Sequence, residues 1–172
     1  MKADILTVVW KESRSMFRDR GSRTRTVMTL LMPVLLAIYL PWESGSDWVS
    51  GPVSLILAIA IPVLVVGLTI PDSFAGERER HTLETLLASR LPGRAILFGK
   101  ILPSVGVAWG LTLFVLLLGL VTVNVAHGSG ELMLYTPVVA TAGIVVSFLI
   151  ATAVAGAGVL ISLRVGRVQD AS

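Results

Sequence analysis

Four long apolar runs constrain this chain more than any other feature of its sequence. They cover about residues 26–42, 49–71, 95–126 and 135–163. Their only charged residue is Lys100, near the start of the third run, where its amine can reach the membrane surface. Uncharged runs of about 18 residues can cross a bilayer, and a helix satisfies every backbone polar group there. The sequence therefore predicts an all-α, polytopic transmembrane bundle of four spans, forming a single domain over residues 1–172.

The overall composition supports the membrane class. Hydrophobic residues make up 54% of the 172 residues and charged residues 15%, whereas a soluble domain carries about 25% charged residues. The chain has no cysteine, which excludes disulfides, thiolate metal sites and a cysteine nucleophile. The net charge of +3 is typical of the basic residues that orient membrane proteins, so we do not assign it to nucleic-acid binding.

The 14 lysines and arginines are confined to three parts of the chain. They lie before the first span, around the connection between the second and third spans, and after the fourth span. The other two connections carry only acidic charges, those of Glu43, Asp47 and Glu131. Basic residues beside membrane spans stay in the cytoplasm. The sequence therefore predicts a multi-pass protein of a bacterial or archaeal cytoplasmic (inner) membrane, with both termini and the 72–94 connection in the cytoplasm.

Residues 1–25 predict a helix that lies on the cytoplasmic membrane surface. Apolar and charged side chains fall on opposite sides of this helix, with aromatic residues on the apolar side. The residues that mark this interfacial helix are Trp10, Lys11, Glu12, Arg14, Phe17 and Arg18. An ordinary helix packed on a partner is the alternative. Farther along, Trp42 and Trp48 flank the first acidic connection, which predicts that both lie at the membrane interface.

The 72–94 connection mixes acidic with basic residues, although orientation requires only lysine and arginine. After Gly76 the leucines share one helical face, and Arg80 and Glu84 are spaced to pair on another. Pro92 is expected to end this helix. The pattern predicts a short amphipathic cytoplasmic helix, which is either a solvated connector or a docking surface for a cytoplasmic partner.

The stretch FAGERERHTLETLLASRLPGRAILFGKIL resembles the first cytoplasmic loop of ATP-binding-cassette (ABC) type 2 permeases, the membrane subunits of many bacterial exporters. The matching residues are Phe74, Glu77, Arg78, Glu79, Thr82, Leu83, Glu84, Leu86, Leu87, Gly99 and Lys100. His81 stands where the family often has glycine. Lys11 and Glu12, followed by an arginine-rich turn and a proline-bearing first span, are similar as well, as is the C-terminal stretch ISLRVGRVQDA.

The resemblance implies a permease subunit of an ATP-driven exporter. Two such subunits, identical or paired, would form the translocation pathway between them. Separate cytoplasmic ATP-binding subunits would dock on the helix around Glu77–Leu87, including Arg80, and on the interfacial helix. ATP and Mg²⁺ would then be bound by that partner, and this chain would be a transporter subunit without a catalytic residue or cofactor. Because permeases of this family usually have six spans, four spans imply a partial or shorter member.

Other functional sites are poorly supported by the sequence. Residues 93–101, GRAILFGKI, approach a phosphate-binding loop, but the spacing is one residue too long and Ile101 replaces the required serine or threonine. His81 and His127 are the only histidines and are predicted on opposite sides of the membrane, so no metal site is expected. The spans lack ionisable residues at depth, which argues against proton-coupled transport.

Small residues at four-residue spacing predict close helix contacts. They are Gly106 and Gly110 in the third run and Gly143, Ser147, Ala151 and Ala155 in the fourth. Contacts within one subunit, contacts between subunits and lining of a pathway all remain open for them. The neutral polar residues Thr112, Thr122, Asn124 and Thr152 either face a pathway or hydrogen-bond within the bundle.

Two further functional classes remain open beside the permease. One is a non-transporting membrane scaffold or accessory protein, including an inactive fragment. The other is a small ATP-independent transporter or channel, which would show flux in liposomes without ATP.

Overall fold

The computed structural model describes residues 20–79, 93–128 and 130–169. Five helices make up nearly all of these residues, and the described residues contain no strand. The helices are α1 (Arg20–Ser44), α2 (Asp47–Ser50), α3 (Val53–Glu79), α4 (Gly93–His127) and α5 (Pro137–Gln169). The all-helical prediction is confirmed for these residues. The four spans and the two amphipathic helices stay predictions.

The helix bounds differ in several places from the pattern of the sequence. α1 begins at Arg20, within the segment predicted to lie on the membrane surface, and α5 continues to Gln169, beyond the predicted end of the fourth span. α3 continues through Pro71 to Glu79, beyond the expected end of the second span. The expected acidic loop after α1 contains the short helix α2, so that only Gly45 and Ser46 separate the two helices. Prolines such as Pro71 are tolerated inside membrane helices because neighbouring groups satisfy the backbone that they leave free.

Two helices are long and apolar enough to cross a membrane, judged over the described residues. The stretches that meet this test are Ile101–His127 of α4 and Pro137–Ile161 of α5. In the most apolar 18 residues of each stretch, only 28% of the residues in α4 and 22% of those in α5 are buried. The core helix of a soluble protein, in contrast, is mostly buried. Leu31–Ser44 and Val53–Thr69 are shorter apolar helical stretches. The broad exposed apolar surface therefore fits a lipid environment.

The helices alternate in direction, and their connections at one end meet. A Cβ atom built on Gly45, after α1, would lie 3.6 Å from the imidazole of His127, the last residue of α4. The backbone N–H of Thr136, just before α5, donates to the carbonyl of Val49 in α2 at 3.1 Å. We call this the capped end of the bundle, formed by residues 45–51 and 130–136.

The largest helix interface joins α3 to α5, and α4 packs against α1, α3 and α5. Small apolar side chains dominate the interior. Fully or almost fully buried are Ala37, Ala58, Ile61, Val65, Val66, Ala108, Val115, Val123, Ala151 and Ala155. Many larger side chains lie on the outside, among them Leu117, Leu149 and Leu160. Small interior residues bring helix backbones together where lipid makes the outer surface equally favourable for apolar groups.

Candidate functional site

The first connection of the capped end is a short helix between two glycines. Gly45 has φ of +56°, a left-handed conformation that glycine adopts without strain, and its carbonyl accepts a bond from Trp48 N–H at 3.1 Å. After α2, Gly51 N–H donates to Asp47 O at 2.8 Å. A Cβ on Gly51 would lie 2.6 Å from that carbonyl oxygen. The local sequence therefore holds residues 45–51 in a tight turn.

Trp48 points from this turn into the bundle and has no exposed surface. Its indole lies on Gly119 of α4, where a Cβ would be 2.6 Å from Cε2 and 2.7 Å from Nε1. Only glycine leaves room for the ring at this position. Trp42, in contrast, is 63% exposed. The ring of Trp48 therefore does not face outward, because it fills the gap between α2 and α4. That both tryptophans lie at the depth of the membrane interface stays a prediction.

Two buried polar atoms at the capped end have no hydrogen-bond partner, Nε1 of Trp48 and Oγ of Ser54 in the first turn of α3. Tyr135 is better satisfied, since its hydroxyl donates to Leu116 O at 2.8 Å. Burial raises the pKa of Tyr135 to about 12, with a smaller opposing effect from the nearby Trp48 indole. Each unsatisfied buried group costs about 1–3 kcal/mol.

The second connection of the capped end is fixed by Asn124 of α4. Its Nδ2 donates to Met133 O, and its Oδ1 accepts from Met133 N–H, each at 2.8 Å. Nδ2 also donates to Leu120 O at 2.8 Å. One side chain therefore ties the 130–136 segment to the end of α4.

The other neutral polar residues of the spans also bond within the chain. Thr112, Thr122 and Thr152 each donate to the carbonyl four residues earlier, at 2.8, 2.9 and 2.7 Å. The three threonines thus bond to their own helices, Thr112 at a buried position and Thr152 at an exposed one.

The small residues of α5 form a buried stripe. Ser147, Ala151 and Ala155 have no exposed surface. A Cβ on Gly143 would lie 3.3 Å from Cδ1 of Leu116 in α4 and 3.9 Å from Cδ2 of Leu55 in α3. The stripe therefore faces both neighbouring helices.

The small residues of α4 lie differently. Gly106 and Gly110 are exposed, and nothing lies within 4 Å of a Cβ built on either. Between them Trp109 turns toward α5, where its Nε1 donates to Ile144 O at 3.1 Å and its ring meets Phe148 edge-on at 5.5 Å. The open glycines thus border a contact between α4 and α5 without taking part in it.

Four of the remaining predicted site residues lie at the other end of the bundle. Phe74, Glu77, Arg78 and Glu79 lie in the last turns of α3. Outside the described residues are Arg80, Thr82, Leu83, Glu84, Leu86 and Leu87 of the cytoplasmic helix, and Trp10, Lys11, Glu12, Arg14, Phe17 and Arg18 of the interfacial helix. Within the described part of the chain, no group of three or more acidic, histidine or cysteine side chains could hold a metal ion.

The sequence analysis missed the pairing of Trp48 with Gly119 and the hydrogen bond of Tyr135. One available signal was the glycine itself, which interrupts the run LLLGLV and suggests a packing reason. Which side chain meets that glycine depends on the approach of a distant turn, and no local pattern encodes it.

Comparison with known proteins identifies the family. The family described as ABC-2 type transporter matches residues 3–172. No curated protein and no solved structure matches the chain. The match covers the apolar helices, the predicted interfacial segment and the charged connection. The chain therefore belongs to the ABC-2 type transporter family and is a membrane protein of the permease class.

Proposed function

We propose that this chain is the membrane permease subunit of an ATP-driven exporter and works as a dimer with separate cytoplasmic ATP-binding subunits. Family membership supports the permease role. ATP and Mg²⁺ belong to the partner in this proposal. The permease pair forms the pathway, and ATP binding and hydrolysis move it between inward-facing and outward-facing states.

The observation that carries the proposal is the separation of charge along the bundle. Asp47 and Glu131 lie in the capped end and Glu43 lies just before it, in the last turn of α1. No lysine or arginine occurs in the stretches 26–77 and 101–163 that lead to and from this end. The helix ends opposite the cap contain the basic residues Arg20, Arg23, Arg25, Arg78, Arg94, Lys100, Arg164 and Arg167. This separation supports a cytoplasmic basic end, where a soluble ATPase can dock, and an outward-facing capped end.

The continuous helix α3 supports a mechanical link between the two ends. It runs from Val53, beside the cap, to Glu79, the third matched residue of the Glu-Arg-Glu motif. A single helix can pass a displacement along its length, whereas a flexible connection would absorb it. We propose that the ATPase contacts Glu77–Leu87 and moves α3 through this segment.

Orientation can be tested directly because the chain has no cysteine. In right-side-out vesicles, E131C should react with a membrane-impermeant maleimide. S89C, in the charged connection, should react only after the membrane is permeabilised. The reverse pattern would place the charged connection outside the cell and end the exporter proposal.

The coupling role is tested by replacing Glu77, Arg80 and Glu84 together with alanine. We expect weaker association with the ATP-binding subunit in a pull-down and ATP hydrolysis that no longer drives transport, while membrane insertion stays normal. Unchanged association and transport would refute the coupling role.

A matched control replaces three acidic residues at the opposite end, in the variant E43A/D47A/E131A. It changes as many charged residues but leaves the basic end intact, so association with the ATPase should be unchanged. ATP-independent flux in liposomes would instead favour a channel or secondary transporter, and the absence of any bound ATPase would favour a scaffold.

A further inference from the structure

The two connections of the capped end are held in different ways. Residues 130–136 are tied down by the two hydrogen bonds between Asn124 and Met133 and by the bond from Tyr135 to Leu116 O. Residues 45–51 are joined to this segment by a backbone bond from Thr136 N–H to Val49 O at 3.1 Å. The 130–136 segment is therefore the fixed half of the cap.

Residues 45–51 are held by backbone bonds within the turn, by the bond to Thr136 and by the packing of one large side chain. Trp48 is the largest fully buried side chain among the described residues, and it occupies the space that Gly119 leaves open. Because packing contacts of this kind depend on close approach, they are lost together when the ring moves away. Withdrawal of Trp48 would open more volume at this end than withdrawal of any other fully buried side chain described.

Two polar atoms, one in the turn and one beside it, disfavour the arrangement in which the Trp48 ring lies against Gly119. Nε1 of Trp48 and Oγ of Ser54 are buried without partners, and both would gain hydrogen bonds to water if the turn moved outward. Burial of unsatisfied polar groups destabilises the closed state relative to an open one. Gly45 and Gly51 flank the turn, and glycine can absorb the backbone rotation that such a movement requires.

We propose that residues 45–51 form a hinged plug, in which Trp48 closes the capped end of the bundle and leaves Gly119 during the transport cycle. The proposal rests on the proposed function, because it assigns to the capped end of each subunit a movement that accompanies the release of substrate between the two subunits. The described contacts would then correspond to a state that is closed at this end.

A labelling experiment tests whether the plug moves. The variant V49C places a thiol in the plug, at a position that is 7% exposed. The matched control S147C places one in the stripe of α5, where the exposure is zero. Each variant is placed in lipid nanodiscs with the ATP-binding subunit, so that a water-soluble maleimide reaches both membrane faces.

We expect the thiol of V49C to react at least fivefold faster with MgATP and vanadate than without nucleotide, and the thiol of S147C to change less than twofold. Equal protection of the V49C thiol in both conditions would overturn the plug. An equal rise in both variants would overturn it as well, because that result would indicate general loosening of the bundle.

A cross-link tests whether the movement is required. The pair V49C/T136C spans the backbone bond between the two halves of the cap, and the single variants serve as controls. Oxidation of the pair should lower ATP-dependent transport at least tenfold, and a reductant should restore it. Equal transport before and after complete oxidation would refute the plug while leaving the proposed function intact.

The two proposals fail in different ways. Absence of ATP-dependent transport by the unsubstituted protein would refute the exporter, and the labelling of V49C against S147C would then decide the plug by itself. Loss of ATPase association in the E77A/R80A/E84A variant, combined with normal transport in the oxidised pair, would retain the docking site and reject the plug.

Discussion

Trp42 and Trp48 belong to the same connection, yet one is 63% exposed and the other has no exposed surface. The same contrast recurs within the helices. Ala151 of α5 is fully buried and Ala153 is exposed. A Cβ built on Gly119 of α4 would meet an indole, whereas one built on Gly110 would meet nothing within 4 Å. Inner and outer faces of the bundle are therefore both apolar, although small side chains predominate inside. They differ in how much room is left beside each side chain.

This difference follows from the solvent around a membrane protein. Lipid chains are as apolar as a protein core, so hydrophobicity does not sort residues between the two faces. Side-chain volume decides which residues can lie on the inner face, because a buried position accepts only the volume that its neighbours leave free. Matched pairs of substitutions, one on each face, test this difference.

The largest effect is expected for Trp48→Ala. It removes a fully buried ring, and replacing a buried tryptophan by alanine costs about 3–5 kcal/mol. Trp42→Ala removes an exposed ring and should change the free energy of unfolding by about 0.5 kcal/mol or less. Unfolding midpoints in detergent micelles measure both. Equal losses would show that the two tryptophans do not differ in packing.

Ala151→Leu is expected to have the next largest effect. The extra carbons must enter a position without exposed surface, and such overpacking costs about 1–3 kcal/mol. Ala153→Leu adds the same carbons to an exposed position of the same helix and should leave the unfolding midpoint unchanged. A stable A151L protein would contradict the placement of the α5 stripe against α3 and α4.

Gly119→Ala should be destabilising and Gly110→Ala neutral or slightly stabilising. Alanine is favoured over glycine in a helix by about 1 kcal/mol, and at Gly110 nothing opposes that gain. At Gly119 the new methyl group overlaps the Trp48 ring, which should outweigh the gain and leave a net loss of about 1–2 kcal/mol.

The Trp48→Ala variant provides a control for the loss of stability expected in Gly119→Ala. In a Trp48→Ala background the overlap is removed, so Gly119→Ala should no longer lower the unfolding midpoint. A loss of the same size in both backgrounds would mean that the alanine methyl group meets some other neighbour than the indole.

Tyr135→Phe should give the smallest effect. It removes the hydroxyl bond to Leu116 O, which contributes about 0.5–1.5 kcal/mol. Tyr39→Phe, at a side chain that is 61% exposed, should change the unfolding midpoint less. If the two variants lose the same stability, the bond of Tyr135 contributes nothing specific.

Alkaline pH sharpens this last comparison. Tyr135 lies before α5, and burial raises its pKa from 10.0 to about 12. The unfolded chain therefore ionises first, and the free energy of unfolding should fall as pH rises through that range. The Tyr135→Phe protein should lack this part of the fall.

Much of the molecule could be predicted before any contact was known. Membrane class, helical structure and family membership follow from uncharged runs and from the charged motif around Glu77–Leu87, which are properties of neighbouring residues. The same holds for the expectation that Gly143, Ser147, Ala151 and Ala155 lie on one helical face, because residues at four-residue spacing fall on one side of a helix.

By itself, the sequence determined that this chain is a helical membrane protein of the ABC-2 type transporter family, because lipid requires uncharged helices and family motifs are local. Only the tertiary structure decided which small residues face a neighbour, that Trp48 enters the bundle while Trp42 stays outside, and that Gly119 receives its ring. Both faces of a membrane helix are apolar, so the choice between them depends on which helices meet and how closely.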